Sequence, residues 1–91
     1  MLMTRRWEEG LETAMLDVRS LKSPWPLHWT RWRMKPLPPG RPLKIVSTDP
    51  RSSLDIQELI RTARDFELVE QEEGSDDRGR RTFTLILRRK S

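Results

Sequence analysis

The chain has 91 residues, a net charge of +4, one histidine and no cysteine. A chain of this length fits one domain with a thin core, and the absence of cysteine excludes disulfides, thiolate metal sites and thiol catalysis in the chain as written. A single histidine, His28, argues against a zinc site, since such sites need about four Cys or His ligands. We therefore expect neither a metal nor a cofactor.

The first eleven residues have mixed charge, no clear periodicity and a glycine at position 10. We interpret residues 1–11 as a loosely ordered N-terminal extension of a single domain that spans residues 12–91. No apolar run approaches the roughly 18–20 residues that cross a bilayer, and the N-terminal segment lacks the apolar core of a signal peptide. We expect a cytoplasmic protein without a membrane partner.

Positive charge is concentrated in the first half of the chain. No acidic residue lies between Asp17 and Asp49, an interval that contains Arg19, Lys22, Arg31, Arg33, Lys35, Arg41 and Lys44. Two interpretations stay open at this point: a surface for an anionic partner, either nucleic acid or an acidic protein, and an ordinary solvated surface.

The first strand is predicted over Thr13–Val18, and a helix start follows it closely. Pro24 and Pro26 are separated by one residue, and proline favours the first turn of a helix, where its missing N–H group costs nothing. The pattern predicts a helix from Pro24 or Pro26 to Lys35, with Ser23 near the N-cap. A side chain at that position would face free backbone N–H groups and the positive end of the helix dipole.

Three tryptophans give this helix two competing apolar sides. Trp25, Trp29 and Trp32 fall within one narrow sector at 100° per residue, whereas Leu27 and Met34 lie nearly opposite. Periodicity alone favours the tryptophans as the core side. The alternative is that Leu27, Thr30 and Met34 pack on the sheet and leave an exposed tryptophan patch for a partner.

The rest of the chain predicts one more helix and three more strands. Leu43–Thr48 is a β-branched strand that ends at Asp49-Pro50, and Ser52 or Ser53 is expected to cap the next helix. That helix carries a regular apolar stripe, and two strands at Phe66–Gln71 and Arg81–Arg88 follow as a hairpin. The stripe consists of Ile56, Leu59, Ile60 and Ala63.

The predicted order is therefore β-α-β-α-β-β. Two helices of this length can cover one face of a four-stranded sheet. The fold class is α+β, a two-layer α/β sandwich with a mixed four-stranded sheet and both helices on one face.

Through several of these sequence features together, the chain resembles the TusA/SirA/YedF family of small sulfur-carrier proteins. The chain reads Leu16-Asp-x-Arg-x-Leu-x-Ser23-Pro-x-Pro26, and the family pattern is Leu-Asp-x-Arg/x-Gly-Leu-x-Cys-Pro-x-Pro. Pro39-Gly40, a strand ending in Thr48-Asp49-Pro50, and Asp55-Ile56 in the second helix extend the similarity over roughly residues 14–90. The resemblance implies the same two-layer sandwich.

The resemblance also assigns a carrier position. In the family, the cysteine before Pro-x-Pro accepts a persulfide sulfur from a cysteine desulfurase or a rhodanese-like donor and passes it to an acceptor protein, for example for tRNA thiolation. That position is Ser23 here, and Ser20 replaces the usual glycine. A serine hydroxyl cannot form a persulfide, so sulfurtransferase activity is uncertain. Either a Cys-to-Ser replacement was engineered, or the chain is a natural divergent member, which the second departure at Ser20 favours.

The implied function is a partner-binding module of a sulfur relay, with covalent sulfur carriage disabled. Arg19, Lys22, Trp25, Trp29 and Trp32 are the expected partner-binding residues, and a monomer or weak dimer is expected. The alternative is a basic nucleic-acid-binding or regulatory interaction module on the same fold. Serine catalysis is unsupported because the one histidine, His28, need not reach Ser23 and no Gly-x-Ser-x-Gly turn is present.

Overall fold

A computed structural model describes residues 13–90. Four strands and two helices follow one another in the predicted order β-α-β-α-β-β. Their bounds are β1 Ala14–Asp17, α1 Trp25–Met34, β2 Pro42–Ser47, α2 Pro50–Thr62, β3 Phe66–Ser75 and β4 Arg81–Arg89. Neither helix is long and apolar enough to cross a membrane. The predicted N-terminal extension, residues 1–11, lies outside the described residues.

The four strands form one mixed sheet in the order β1-β2-β4-β3. β1 and β2 are parallel, whereas β4 is antiparallel to both of its neighbours. The hairpin of β3 and β4 is longer than predicted, because the acidic segment up to Ser75 pairs with β4 rather than forming a loop. The predicted loop shrinks to residues 76–80. Cross-strand hydrogen bonds thus outweigh the low strand propensity of glutamates on an exposed edge strand.

Both helices pack on one face of the sheet. Leu43 pairs with Leu87 and Ile45 with Leu85 across β2 and β4, so that these side chains point to the same side. They form one buried cluster with residues of the helices, of the loops and of β3, namely Val18, Met34, Leu37, Ile56, Ile60 and Phe66. The two-layer sandwich is therefore confirmed.

Helix α1 turns its smaller side chains toward the sheet. Pro26, Thr30 and Met34 are buried at i, i+4 and i+8, and the Thr30 hydroxyl donates to the carbonyl of Pro26 at 2.8 Å. The three tryptophans point away, with exposed fractions of 54% for Trp25, 41% for Trp29 and 60% for Trp32. The interpretation of the tryptophans as the core side is wrong, because the opposite side of the helix is the one buried in the core. The alternative, in which Leu27, Thr30 and Met34 pack inward, is confirmed.

The start of α2 also differs from the prediction. Asp49 is the N-cap, and its carboxylate accepts from the N–H of Arg51, while Pro50 occupies the first helical position. Ser52 and Ser53, which were expected to cap the helix, are buried inside its first turns. The Asp-Pro pair thus ends β2 and begins α2 at once, since aspartate caps well and proline is preorganised for the first turn.

Arg89 closes the other end of α1. Its guanidinium donates to the carbonyls of Leu37 at 2.7 Å, Lys35 at 3.0 Å and Met34 at 3.2 Å, and it pairs with Asp65 at 2.8 Å. The Met34 and Lys35 carbonyls lie at the C-terminal end of α1, where carbonyls lack intrahelical partners, and the Leu37 carbonyl lies just beyond it. Arg89, within the basic C-terminal run, therefore has its donors occupied by the fold.

Candidate functional site

The carboxyl ends of the two parallel strands lie at the same edge of the sheet, beside the N-termini of both helices. The loop after β1 carries Ser23, and the loop after β2 carries Asp49. Between them lies a cavity of about 610 Å³. Its lining comprises Arg19, Ser20, Leu21, Lys22, Ser23, Thr48, Asp49, Pro50, Arg51 and Arg80. Ends of parallel strands are common ligand sites in α/β folds, so this cavity is the candidate functional site.

Asp49 ties the Ser23 loop to α2. Its carboxylate accepts from the backbone N–H of Ser23 at 2.7 Å, from the Ser52 hydroxyl at 2.8 Å and from the Arg51 N–H at 3.3 Å. The hydrogen bond from Ser23, followed by that from Ser52, holds the pKa of Asp49 below its ordinary value. One carboxylate therefore caps α2 and fixes the backbone of Ser23 at the same time.

Ser23 itself does not cap α1. The N-cap of α1 is Pro24, no side chain donates to or accepts from the first turn there, and Pro26 removes a further N–H group. The side chain of Ser23 is exposed at the cavity, while its backbone N–H is held by Asp49. Ser23 thus lies next to the N-cap, as predicted, but its hydroxyl does not cap the helix.

Arg19 is held at the cavity by the last residue of β1. Its guanidinium binds Asp17 through two hydrogen bonds, at 3.0 Å and 2.8 Å, and its backbone N–H donates to the same carboxylate at 3.1 Å. The pKa of Asp17 is lowered, chiefly by the hydrogen bonds from the Arg19 side chain. The Thr48 hydroxyl donates to the Arg19 carbonyl and joins the loops after β1 and β2.

The loop between β3 and β4 also contributes to the cavity, through Arg80. In the loop after β3, the Asp76 side chain is only 3% exposed and accepts from the backbone N–H groups of Arg78 at 2.9 Å and Arg80 at 2.8 Å. It also binds the Arg80 guanidinium at 2.8 Å. Burial acts to raise the pKa of Asp76, but these donors outweigh it, so the pKa is lowered.

Three charged residues of the cavity lining were not predicted as site residues from the sequence, namely Asp49, Arg51 and Arg80. Arg80 lies 57 positions after Ser23 in a polar loop, and nothing in its neighbourhood distinguishes it from other exposed arginines. Asp49 carried a detectable signal, because aspartate before proline is a strong helix start. Its contact with Ser23 has no sequence signature.

The tryptophans lie along α1, outside the cavity lining. We call Trp25, Trp29 and Trp32 the tryptophan face. His28 packs edge-on against Trp25 and Trp29, with ring centroids 5.8 Å and 5.1 Å apart. The Lys35 ammonium lies 5.8 Å from the Trp32 ring centroid. The structure therefore brings together Arg19, Lys22 and Ser23 at the cavity, with Pro24 and Pro26 leading directly to the tryptophan face.

Fold and cavity together define a small two-layer α/β domain whose Ser-Pro-x-Pro helix start opens on a basic cavity. Comparison with known proteins places this domain in a family. The chain is 38% identical over 66 residues to the sulfur carrier protein TusA of Pseudomonas fluorescens, an alignment that covers 72% of this chain and 78% of the relative.

Two further comparisons agree. The sulfur carrier proteins TusA of Pseudomonas paraeruginosa and Pseudomonas aeruginosa are 37% identical over 78 residues, or 86% of this chain and 91% of each relative. No family model matches the sequence. The chain belongs to the TusA family of sulfur carrier proteins.

Proposed function

We propose that this chain is a partner-binding module of a sulfur relay in which Ser23 occupies the carrier position and covalent sulfur carriage is absent. The family membership supports a role in sulfur transfer. The observation that carries the finer proposal is the exposed Ser23 at a basic cavity, with its backbone held by Asp49 and its hydroxyl free of any role in capping α1.

The chemistry of the serine hydroxyl explains why covalent sulfur carriage would be absent. Persulfide transfer needs a thiolate that attacks the terminal sulfur of the donor, so that one S–S bond forms while another breaks. A serine hydroxyl is not ionised near neutral pH, and without an adjacent base it is a weak nucleophile. Within residues 13–90, no hydrogen bond joins the Ser23 hydroxyl to His28 or to a carboxylate, since the Asp49 carboxylate binds the backbone N–H of Ser23 instead. The module would then act by binding rather than by covalent transfer.

The charges around Ser23 and α1 support a protein partner with an acidic surface. Arg19 and Lys22 flank Ser23, and α1 carries Arg31 and Arg33 in its last turn without an acidic residue in its first. The tryptophan face supplies apolar anchor area of the type that dominates binding energy at protein interfaces. A persulfide donor, either a cysteine desulfurase or a rhodanese-like protein, and an acceptor protein are the partner classes that fit the family.

Restoring a thiol tests the proposal. We expect Ser23→Cys to gain one sulfur atom, seen as a mass increase on the intact protein, when it is mixed with persulfide-loaded cysteine desulfurase or rhodanese. The introduced thiolate would attack the terminal sulfur of the donor persulfide, and the donor cysteine would leave as a thiolate, so no external oxidant is needed. The wild-type protein, with Ser23, should gain no sulfur.

Ser20→Cys is the matched control, because Ser20 lines the same cavity a few residues earlier. Sulfur gain at position 23 and not at position 20 would show that the carrier geometry has been retained. Equal gain at both positions would indicate unspecific thiol exchange and contradict the proposal. No gain at position 23, from a variant that unfolds at the wild-type temperature, would also contradict it.

A further inference from the structure

Cationic side chains from three separate parts of the fold converge on the Ser23 cavity. Arg19 and Lys22 come from the loop after β1, Arg51 from the first turn of α2, and Arg80 from the loop between β3 and β4. Asp49 is the one carboxylate in the lining, and three donors already bind it. The cavity therefore carries an excess of positive charge that the fold assembles from distant positions.

Two of these cations are oriented from outside the cavity. Asp17 holds Arg19 and Asp76 holds Arg80, yet neither carboxylate belongs to the cavity lining. Within residues 13–90, the hydrogen bonds of Arg19 use Nε and Nη2, and those of Arg80 use Nε. Each guanidinium thus keeps further N–H donors for a ligand, and its orientation is set in advance.

The other two cations, Lys22 and Arg51, form no ion pair with residues 13–90, where no carboxylate lies within 4 Å of the Lys22 ammonium or the Arg51 guanidinium. Cations without an ion pair beside preoriented guanidinium groups favour an anion with several oxygen acceptors. A tetrahedral oxoanion fits this donor set better than a single carboxylate does, because it offers acceptors in several directions at once.

We propose that the cavity binds a phosphate- or sulfate-type oxoanion non-covalently, between Lys22, Arg51 and the outward donors of Arg19 and Arg80. A volume of about 610 Å³ far exceeds the space of a few water molecules, each of which occupies about 30 Å³. The cavity therefore has room for an oxoanion carried on a larger molecule. This inference rests on the proposed function and makes it more specific. The oxoanion would be the group that the module binds at the position where its relatives carry sulfur.

NMR titration of the full chain tests the inference at low ionic strength, where exposed charges act most strongly. Inorganic sulfate and phenyl sulfate are the probes, and sodium chloride at equal ionic strength is the reference. We expect saturable shifts of the amide signals of residues 19–23, 51 and 80 with both sulfates and not with chloride. Tighter binding of phenyl sulfate would identify an oxoanion carried on a larger molecule; equal binding would identify the free ion.

Matched variants make the result specific. Lys22→Ser and Arg51→Ser should each weaken sulfate binding about three- to fivefold, the range expected for one exposed charge contact. Arg64→Ser, which removes an exposed cation just beyond the other end of α2, should leave it unchanged. Unsaturable shifts, equal shifts with chloride, or equal weakening in all three variants would overturn the inference. Ser23→Cys can still accept sulfur in that case, so failure here is distinguishable from failure of the proposed function.

Discussion

At the residue scale, Asp49 has the largest share in shaping the site. It caps α2 through the N–H of Arg51 and the hydroxyl of Ser52, and it binds the N–H of Ser23 from 26 positions away. The exposed serine is thereby held at a defined point although it makes no cap of its own. Ser20 stands where the family pattern usually has glycine. No described residue other than glycine has a positive φ, so the backbone at position 20 does not require glycine.

Asp49→Asn should destabilise the protein and alter its response to acid. We expect a loss of about 1–2 kcal/mol in the free energy of unfolding at pH 7, because the amide cannot serve all three donors. Since the folded pKa of Asp49 is lowered, its contribution is complete above the unfolded pKa of about 4 and disappears as pH falls through the folded value. The difference between wild type and variant should therefore shrink toward pH 2.

Urea unfolding at several pH values measures this difference. Asp55→Asn is the control, because Asp55 lies in the same helix and accepts no hydrogen bond from residues 13–90. A difference that stays constant down to pH 2, or an equal loss in the control, would show that the Asp49 carboxylate does not act as described.

At the scale of elements, the C-terminus of α1 depends on a strand that is distant in sequence. Arg89 of β4 donates to three carbonyls at the end of α1, stacks 4.6 Å from the Phe66 ring centroid and pairs with Asp65. Its side chain is only 23% exposed. One residue thus fastens α1 to the β3–β4 hairpin and indirectly fixes the direction in which the tryptophan face points.

Arg89→Ala should lower the free energy of unfolding by about 2–3 kcal/mol, because several partly buried carbonyls lose a charged donor. For a domain of this size, the midpoint of thermal unfolding should fall by about 10–20 °C. Calorimetry on the full chain gives both quantities. The control is Arg88→Ala, whose partly exposed pair with Glu67 should be worth less than about 1 kcal/mol. Equal effects of the two substitutions would refute the capping role.

At the scale of the whole molecule, the exposed tryptophans and nearby cations are separated from the acidic residues of β3. The tryptophan face and two cations of the cavity, Arg19 and Lys22, come from the acid-free interval between Asp17 and Asp49, whereas several glutamates lie on the edge strand β3, namely Glu67, Glu70, Glu72 and Glu73. Two copies that met through the tryptophan face would bring cations together. This arrangement favours a different, acidic protein as the partner over a symmetric dimer.

Trp29→Ala should therefore weaken binding to a persulfide donor about tenfold, a typical cost for a central aromatic anchor, without changing the oligomeric state. Calorimetric titration with cysteine desulfurase or rhodanese measures the affinity, and sedimentation measures the assembly. The control is Leu54→Ala, which removes an exposed apolar side chain from α2.

A wild-type dimer that dissociates on Trp29→Ala would identify a self-interface. Salt-dependent binding of single-stranded RNA that is lost in the variant would instead support the nucleic-acid alternative.

The sequence by itself determined the order of elements, the two-layer sandwich and the Pro-x-Pro start of α1. These features follow from local rules: strand alternation, the stripe of α2 and the fixed φ of proline. The family pattern in the sequence predicts that Ser23 occupies the carrier position, and this stays a prediction.

Only the tertiary structure decided which side of α1 is buried, how Ser23 is held and what surrounds it. Both sides of α1 are apolar, so periodicity could not choose between Thr30 and Trp29, whereas the close approach of α1 to the sheet and α2 does. Asp49 binds Ser23 from 26 positions away in the sequence, and Arg80 lines the same cavity from 57 positions away. Such contacts arise because parallel strands and a hairpin bring their ends together, which no local pattern records.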